Sequence, residues 1–403
     1  NQQPTTNNQQ PTTNNQQPTT NNQQPITNIK IYQNSDRALA WLAARKQQTP
    51  HYACVLGFTE TGLMEGISAA GATPGDRAYT ALADAEFLAK GPQANPRYPL
   101  PPLSAGVSPA FISRAAIAQL QMPIHLLDAG LIHAPSVPVI PLNGAPARCV
   151  TTGAALPLTT VQRLFEAGTA WGEKFTRTYP QSYPILSECV VGGTTTALSV
   201  LTGLGIAAVG KVNSSHPQCN HAQKWQVVRQ GLQQAQLWPM SGEVDPLVVV
   251  AAVGDPMQIA AAAIAMAVSR TTGVLLAGGT QMLAVYALMQ RLGAAYHLPW
   301  QPQQVVVGTT RWVSEDSTGD TPGLARLVGD VPLLATQLDF TTSRYESLRA
   351  YEQGYVKEGV GAGGCAIAAH LHCHWTSTQF LAAIEALIDQ TYFNASVERD
   401  GSN

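Results

Sequence analysis

Residues 358–364 read Glu-Gly-Val-Gly-Ala-Gly-Gly, a single carboxylate entering a loop with almost no side chains. Glycines there permit positive φ and let main-chain N–H groups approach an anion or a ring. The apolar run Cys365–Ala369 that follows is helix-compatible and aims a helix N-terminus at whatever the loop holds. Glu358, so placed, can serve as a general base. Taken alone, the same residues read as a Gly-rich turn with a solvated glutamate, and the other loops of the chain decide between the two.

The most informative of these is Ser187-Glu188-Cys189-Val190-Val191-Gly192-Gly193-Thr194-Thr195-Thr196. A strand end bearing a carboxylate, Glu188, gives way to Gly192 and Gly193, then to hydroxyls at a helix start. Backbone N–H groups with Thr194 and Thr195 form a phosphate cradle, or else an ordinary N-cap with spare threonines. No Gly-Lys-Ser/Thr follows at P-loop spacing, which argues against nucleoside triphosphate hydrolysis. Lys224, on a helix beginning near His221, is a possible phosphate countercharge or a solvated lysine. Asp255 and Gly278 sit in two further loops, Val253–Gln258 and Gly278–Gln281, that capping alone would also explain. His370, His372 and His374 suggest a metal cluster by composition, but helical geometry faces only two of them alike and no carboxylate completes a tetrahedral set. The expectation is a packed helix end and no metal.

The elements that must position these loops alternate. Strands are expected at Tyr52–Phe58, Ile124–Asp128, Ile185–Val191, Leu247–Val253, Val274–Leu276 and Gln304–Thr309. Helices are expected at 37–46, 79–90, 111–120, 159–178, 194–204, 221–236, 257–270 and 281–292. Strands apolar throughout are buried on both faces, which means parallel pairing with helices on each side. The fold class is therefore α/β: a three-layer, mostly parallel, Rossmann-like sheet with a smaller helical lobe from the N- and C-terminal segments. Such sheets hold ligands at the C-terminal ends of their strands.

The 403 residues exceed the ~250–300 at which one core usually stops growing. Charged residues are only 12% against 45% apolar, which fits a large buried sheet and a surface partly covered by a partner subunit. A net charge of −2 with no basic stripe makes nucleic acid a poor partner. The first 28 residues are four NQQPTTN-type heptads, expected to form a disordered polar tail, with residues 29–403 as the folded domain. The tail has neither the basic nor the apolar region of a signal peptide, and a start at Asn1 rather than Met leaves the true N-terminus open. Ile259–Val268, the longest apolar stretch, falls well short of the ~20 residues of a membrane span. Six scattered cysteines without a CxxC pair read as reduced thiols of a cytoplasmic protein.

Together these loops resemble the nicotinate-nucleotide:dimethylbenzimidazole phosphoribosyltransferase family of cobamide biosynthesis, over residues 108–370. The family's Asp-x-Gly is matched by Asp128-Ala129-Gly130, and its Gly-Glu-Met-Gly-Ile-Gly-Asn-Thr-Thr loop by Ser187–Thr195. Its Lys-x-x-Val helix is matched by Lys224–Val228, and its Gly-Gly-Phe-Glu-Ile-Ala loop by Asp255–Ala260. The segment holding its catalytic glutamate, Glu-Gly-Thr-Gly-Ala, is matched by Glu358-Gly359-Val360-Gly361-Ala362. Gln258 replaces a family glutamate, Ala277-Gly278 stands where Asp-Gly is usual, and Thr59–Gly91 diverges, as in a divergent subgroup.

The resemblance implies phosphoribosyl transfer from nicotinate mononucleotide to a nitrogen heterocycle, without metal or cofactor, in a cytoplasmic homodimer. Glu358 is then the base. Gly192, Gly193, Thr194 and Thr195 hold the phosphate, Lys224 supplies countercharge, and Glu188 contacts the ribose or leaving base. Asp128, Asp255, Gly278 and Gly361 complete the substrate surface. A nucleotide hydrolase on the same fold and a non-catalytic nucleotide-binding protein are the alternatives.

Overall fold

A computed structural model of the chain describes residues 28–401 except Ala72, Pro102, Ser104, Met240 and Ser241, with side chains as far as Asn394. The expected tail lies outside these residues but for Asn28. Strands β1 (Ile29–Gln33), β2 (Thr49–Gly57), β3 (Ile124–Gly130), β4 (Ile140–Pro141), β5 (Ser182–Cys189), β6 (Val274–Ala277), β7 (Val305–Thr310) and β8 (Leu333–Thr336) form one sheet. Their order is β1-β8-β7-β6-β5-β2-β3-β4, and every pair is parallel except β1 with β8.

The helices follow in chain order. The first six are α1 (Ser35–Arg45), α2 (Thr80–Lys90), α3 (Ala110–Leu120), α4 (Leu158–Thr178), α5 (Gly193–Gly203) and α6 (His221–Gln234). Then come α7 (Pro246–Val253), α8 (Pro256–Ser269), α9 (Thr280–Tyr296), α10 (Arg311–Ser314) and α11 (Thr321–Val328). Last are α12 (Glu346–Arg349), α13 (Ala362–Cys373) and α14 (Ser377–Gly401).

Each face of the sheet carries its own apolar core. One is built with α4–α9 and α11, the other with α1–α3 and α12–α14. The second layer joins the N- and C-terminal segments expected to form the smaller helical part, with α3 packed against both α13 and α14. All eight residues of β5 are buried, and in β2 only Thr49 is exposed, so the central strands are apolar on both sides.

Sequence order runs outward from β5 through β6, β7 and β8 on one side, and from β2 through β3 to β4 on the other. The reversal lies between β2 and β5, whose Leu56 and Cys189 are paired at the C-terminal end. In an open parallel sheet this is where a crevice opens.

One expected strand is a helix. Leu247–Val253 lies within α7, started by Pro246 at its first position and capped by Asp245, whose Oδ1 accepts from Leu247 N at 2.8 Å. Val249, Val250 and Val253 are fully buried, so the run is apolar for burial and its composition does not separate the two states. The turn before Asp255 therefore joins two helices and is not a strand end. The short strands β1, β4 and β8 had no clear pattern in the sequence.

Candidate active site

A cleft opens at the reversal. The β5–α5 turn lines it with Glu188 to Thr194, the segment after β2 with Ser68 to Ala70, and the start of α9 with Thr280 and Gln281. Asn213 to Ser215 and the strap Tyr355 to Val360, which leads into α13, close the opposite side.

Glu358 sits on that strap. Its Oε2 accepts from Thr309 Oγ1 at 2.9 Å and Thr310 N at 3.0 Å, at the end of β7. Its Oε1 accepts from Gly359 N at 3.2 Å and Gly363 N at 3.1 Å, so the N-terminus of α13 does point at the carboxylate. Burial pushes Glu358 up to about 7, and these four donors pull the other way. The strap is strained: Val356, Lys357 and Val360 all have positive φ, which β-branched residues rarely adopt. It is held by Tyr52 and Ser113, whose hydroxyls both donate to the Val360 carbonyl at 2.8 and 2.9 Å. Thr310 Oγ1 donates to the Lys357 carbonyl at 2.5 Å. Gly361 (φ +72) and Gly363 allow the approach, since a Cβ would meet Ser187 Cβ at 2.6 Å and the Thr309 carbonyl carbon at 2.1 Å respectively.

Glu188 accepts from Val190 N at 3.0 Å and Gln281 Nε2 at 3.2 Å, fewer donors than Glu358 has. Burial pushes it up to about 8, helped by the negative fields of Asp255, Glu358 and Asp84. Asp84, on α2, is a third cleft carboxyl, pushed up to about 6 by burial. The cleft therefore holds three carboxyls whose environments favour their neutral forms to different degrees.

The cation at this cleft is Lys357. It lines the cleft, is 2% exposed, and pairs with Asp316 at 2.6 Å. Lys224 lies behind the Asn213–Ser215 segment instead, donating to the Asn213 carbonyl, and burial lowers it to about 7. The Asn213 side chain donates to Asp316 at 3.0 Å and its N–H to Thr280 Oγ1 at 3.1 Å, tying both lysines to the start of α9.

Of the residues singled out in the sequence, Glu358, Glu188, Gly192, Gly193 and Thr194 meet on the cleft. Thr195 is buried one step into α5, with its hydroxyl unpaired. Asp255 is a cap: its Oδ1 accepts from Met257 N and Gln258 N, and its Oδ2 from Thr196 Oγ1 at 2.5 Å, joining α8 to α5. Asp128 accepts from Gly130 N and Leu131 N, both at 2.9 Å, and shapes the end of β3. Gly278 and Gly361 are buried and do not line the cleft. Sequence reasoning missed Thr80, Asp84 and Ser108, and gave Lys357 no role; a Thr and an Asp spaced i, i+4 on α2 were the available signal.

Two of the three histidines pack as expected. His370 contacts Thr336 Oγ1 at 2.9 Å and the Trp375 carbonyl at 2.6 Å, and His372 contacts Tyr183 OH at 2.9 Å. Among the described residues no group of three His, Cys, Asp or Glu is arranged to hold a metal. No helix there is long and apolar enough to cross a membrane.

Residues 110–297 match the family model described as phosphoribosyltransferase. A UPF0284 protein of Rippkaea orientalis is 59% identical over 90% of this chain and 98% of its own length. One of Gloeothece citriformis is 60% identical over 90% of this chain and 97% of its own. The chain belongs to the UPF0284 family. In three dimensions this UPF0284 chain is similar to CobT from Thermus thermophilus (TM-score 0.54, 18% identity, 86% of this chain and 89% of that one). A nicotinate-nucleotide-dimethylbenzimidazole phosphoribosyltransferase structure from the same organism aligns with TM-score 0.52 and 16% identity, over 89% and 96% of the two chains. At that identity the likeness shows a shared fold: a mostly parallel α/β sheet between two helical layers. The family-model match gives the coarse activity, phosphoribosyl transfer.

Proposed function

We propose that this UPF0284 protein transfers the phosphoribosyl group of nicotinate mononucleotide to a nitrogen heterocycle, releasing nicotinate, as in the activation of a cobamide lower-ligand base. The observation that carries the reading is the pairing of Glu358 and Glu188 across one cleft at the sheet's reversal point. The same cleft offers an anion the glycines and threonine at the start of α5 and the ammonium of Lys357.

In this reading the acceptor nitrogen attacks the anomeric carbon as the bond to nicotinate breaks. The bonding pair returns to the pyridinium nitrogen, which needs no proton. The acceptor's N–H proton goes to Glu358. With a value near 7, Glu358 is substantially ionised at neutral pH and basic enough to take it. The proton must displace one donor, and Gly359 N at 3.2 Å is the longest of the four. Glu188, near 8, is mostly neutral at the same pH and serves as a hydrogen-bond donor to the ribose or the departing base. Gly192, Gly193 and Thr194 hold the phosphate. Lys357 provides the direct countercharge, and Lys224 acts from behind the Asn213 segment. Holding two rings on opposite faces of one ribose supplies much of the rate. A homodimer and a cytoplasmic location belong to the same reading.

The test is Glu358→Gln. Turnover of nicotinate mononucleotide with an acceptor should fall by at least ~100-fold, while calorimetric binding of the mononucleotide stays within a fewfold of wild type. Near-normal turnover would remove Glu358 as the base. Nicotinate release that needs no acceptor would favour a hydrolase. Binding without any release would mark a non-catalytic nucleotide-binding protein.

A further inference from the structure

The mechanism above leaves one polar face of the cleft unused. Thr80 and Asp84 are four residues apart on α2, so they share a side of the helix, and both line the cleft. Thr80 is 7% exposed, and its Oγ1 is buried with no hydrogen-bond partner. Asp84 is 5% exposed. Its Oδ1 accepts from Ser108 Oγ at 2.9 Å and its Oδ2 from Cys189 Sγ at 3.4 Å. A carboxylate accepts about four hydrogen bonds, so Asp84 has room for two more. The same cleft is lined by the apolar residues Pro101, Leu103, Ala105 and Pro109. An acidic and a hydroxylic group among apolar side chains suit a ring that carries hydrogen-bond donors, not a phosphate.

Resting on the transferase reading, we infer that Thr80 and Asp84 select the acceptor, and that it is an amino-substituted nitrogen heterocycle whose exocyclic N–H donates to Asp84. A ring bearing only methyl groups would strip water from Asp84, give nothing back, and leave Thr80 unpaired. Sites that hydrogen-bond a substrate group reject analogues lacking it far more strongly than apolar pockets reject a missing methyl. The amino group therefore dominates the choice. It also pairs the Thr80 hydroxyl, which can accept from the second N–H.

The experiment measures kcat/KM with nicotinate mononucleotide and three acceptors: an aminobenzimidazole, benzimidazole and dimethylbenzimidazole, with the pair aminopurine and purine as a second series. In wild type the amino-substituted ring should exceed its parent by about tenfold or more. In Asp84→Leu, which removes both oxygens at similar volume, and in Thr80→Val, which keeps shape and removes the hydroxyl, that ratio should fall toward one. Thr80→Val remains informative if Asp84→Leu does not fold. Equal or better use of the parent or methylated ring by wild type overturns the inference, as does an unchanged ratio in a folded variant. If no acceptor is used at all, the transferase reading fails separately, and calorimetry with the same rings decides this one. A preference for the amino ring that both variants lose upholds it, and no preference overturns it.

Discussion

Glu358 and Glu188 differ less in residue type than in what surrounds them. Four donors hold the first and two the second, and each is pushed up from the usual carboxylate range by burial. A base must be ionised and a donor protonated, so the two values frame a working range. The expected pH profile of kcat/KM rises through about 7 as Glu358 loses its proton and falls through about 8 as Glu188 loses its own. Outside that range activity should change by about tenfold per pH unit. Glu188→Gln keeps a neutral donor at that place, so its profile should lose the alkaline limb and retain the acid one. A steady-state pH series on both proteins checks this, and an alkaline limb that persists in the variant assigns it elsewhere. Both carboxyls could be picked out in the sequence because each precedes glycines at an element boundary. Lys357 was visible too, but only the fold shows that it lines the cleft while Lys224 is buried behind Asn213.

The element that matters most is α13 with its strap. The helix begins against the ends of β5, β6 and β7, where only glycine lets backbone approach backbone. A Cβ on Gly363 would meet the Thr309 carbonyl carbon at 2.1 Å and its oxygen at 2.4 Å, and backbone cannot yield as a side chain can. Gly363→Ala should therefore push α13 off β7 and lower stability by roughly 1–3 kcal/mol. It should also loosen the Gly363 N–H bond to Glu358. A lower melting temperature together with impaired turnover is the expected result, and an unchanged melting temperature would show that the contact relaxes freely. Sequence reasoning recognised the glycines and the helix-compatible run, since both are local. The positive φ of Val360 left no local mark: its carbonyl is held by Tyr52 and Ser113, more than two hundred residues away in the chain.

Across the whole molecule, burying four acidic groups couples stability to pH. Asp84 and Asp255 stand near 6, Glu358 near 7 and Glu188 near 8, against 3.8 or 4.5 for the ordinary groups. The folded state thus favours their protonated forms. Their contribution to stability is complete below about pH 4 and is lost as pH rises through the folded values. Lys224 acts in the opposite sense, since its folded value near 7 lies below the ordinary 10.5. Its penalty grows as pH falls from the ordinary value and is constant below about 7, and burial also lowers His51, His125, His216, His370 and His372, which oppose the carboxyls in the acid range. The melting-temperature difference between Glu188→Gln and wild type should grow in the variant's favour as pH rises from about 5 to about 8, the interval over which wild type alone loses the Glu188 contribution. A difference between variant and wild type that stays the same across that range would mean that Glu188 is not desolvated in the folded protein.

By itself the sequence determined the α/β class, most helices, the central buried strands and the two glutamate loops. These depend on periodicity, apolar runs and glycine next to carboxylate, all read within a few neighbouring residues. It misassigned Leu247–Val253, because an apolar run buried on several sides carries no period. Only the tertiary structure set β2 beside β5, opened the cleft there, and brought α2 with Thr80 and Asp84 to face Glu188 and Glu358. Strand neighbours are chosen by packing across the whole chain, and a carboxyl's charge state is set by what buries it.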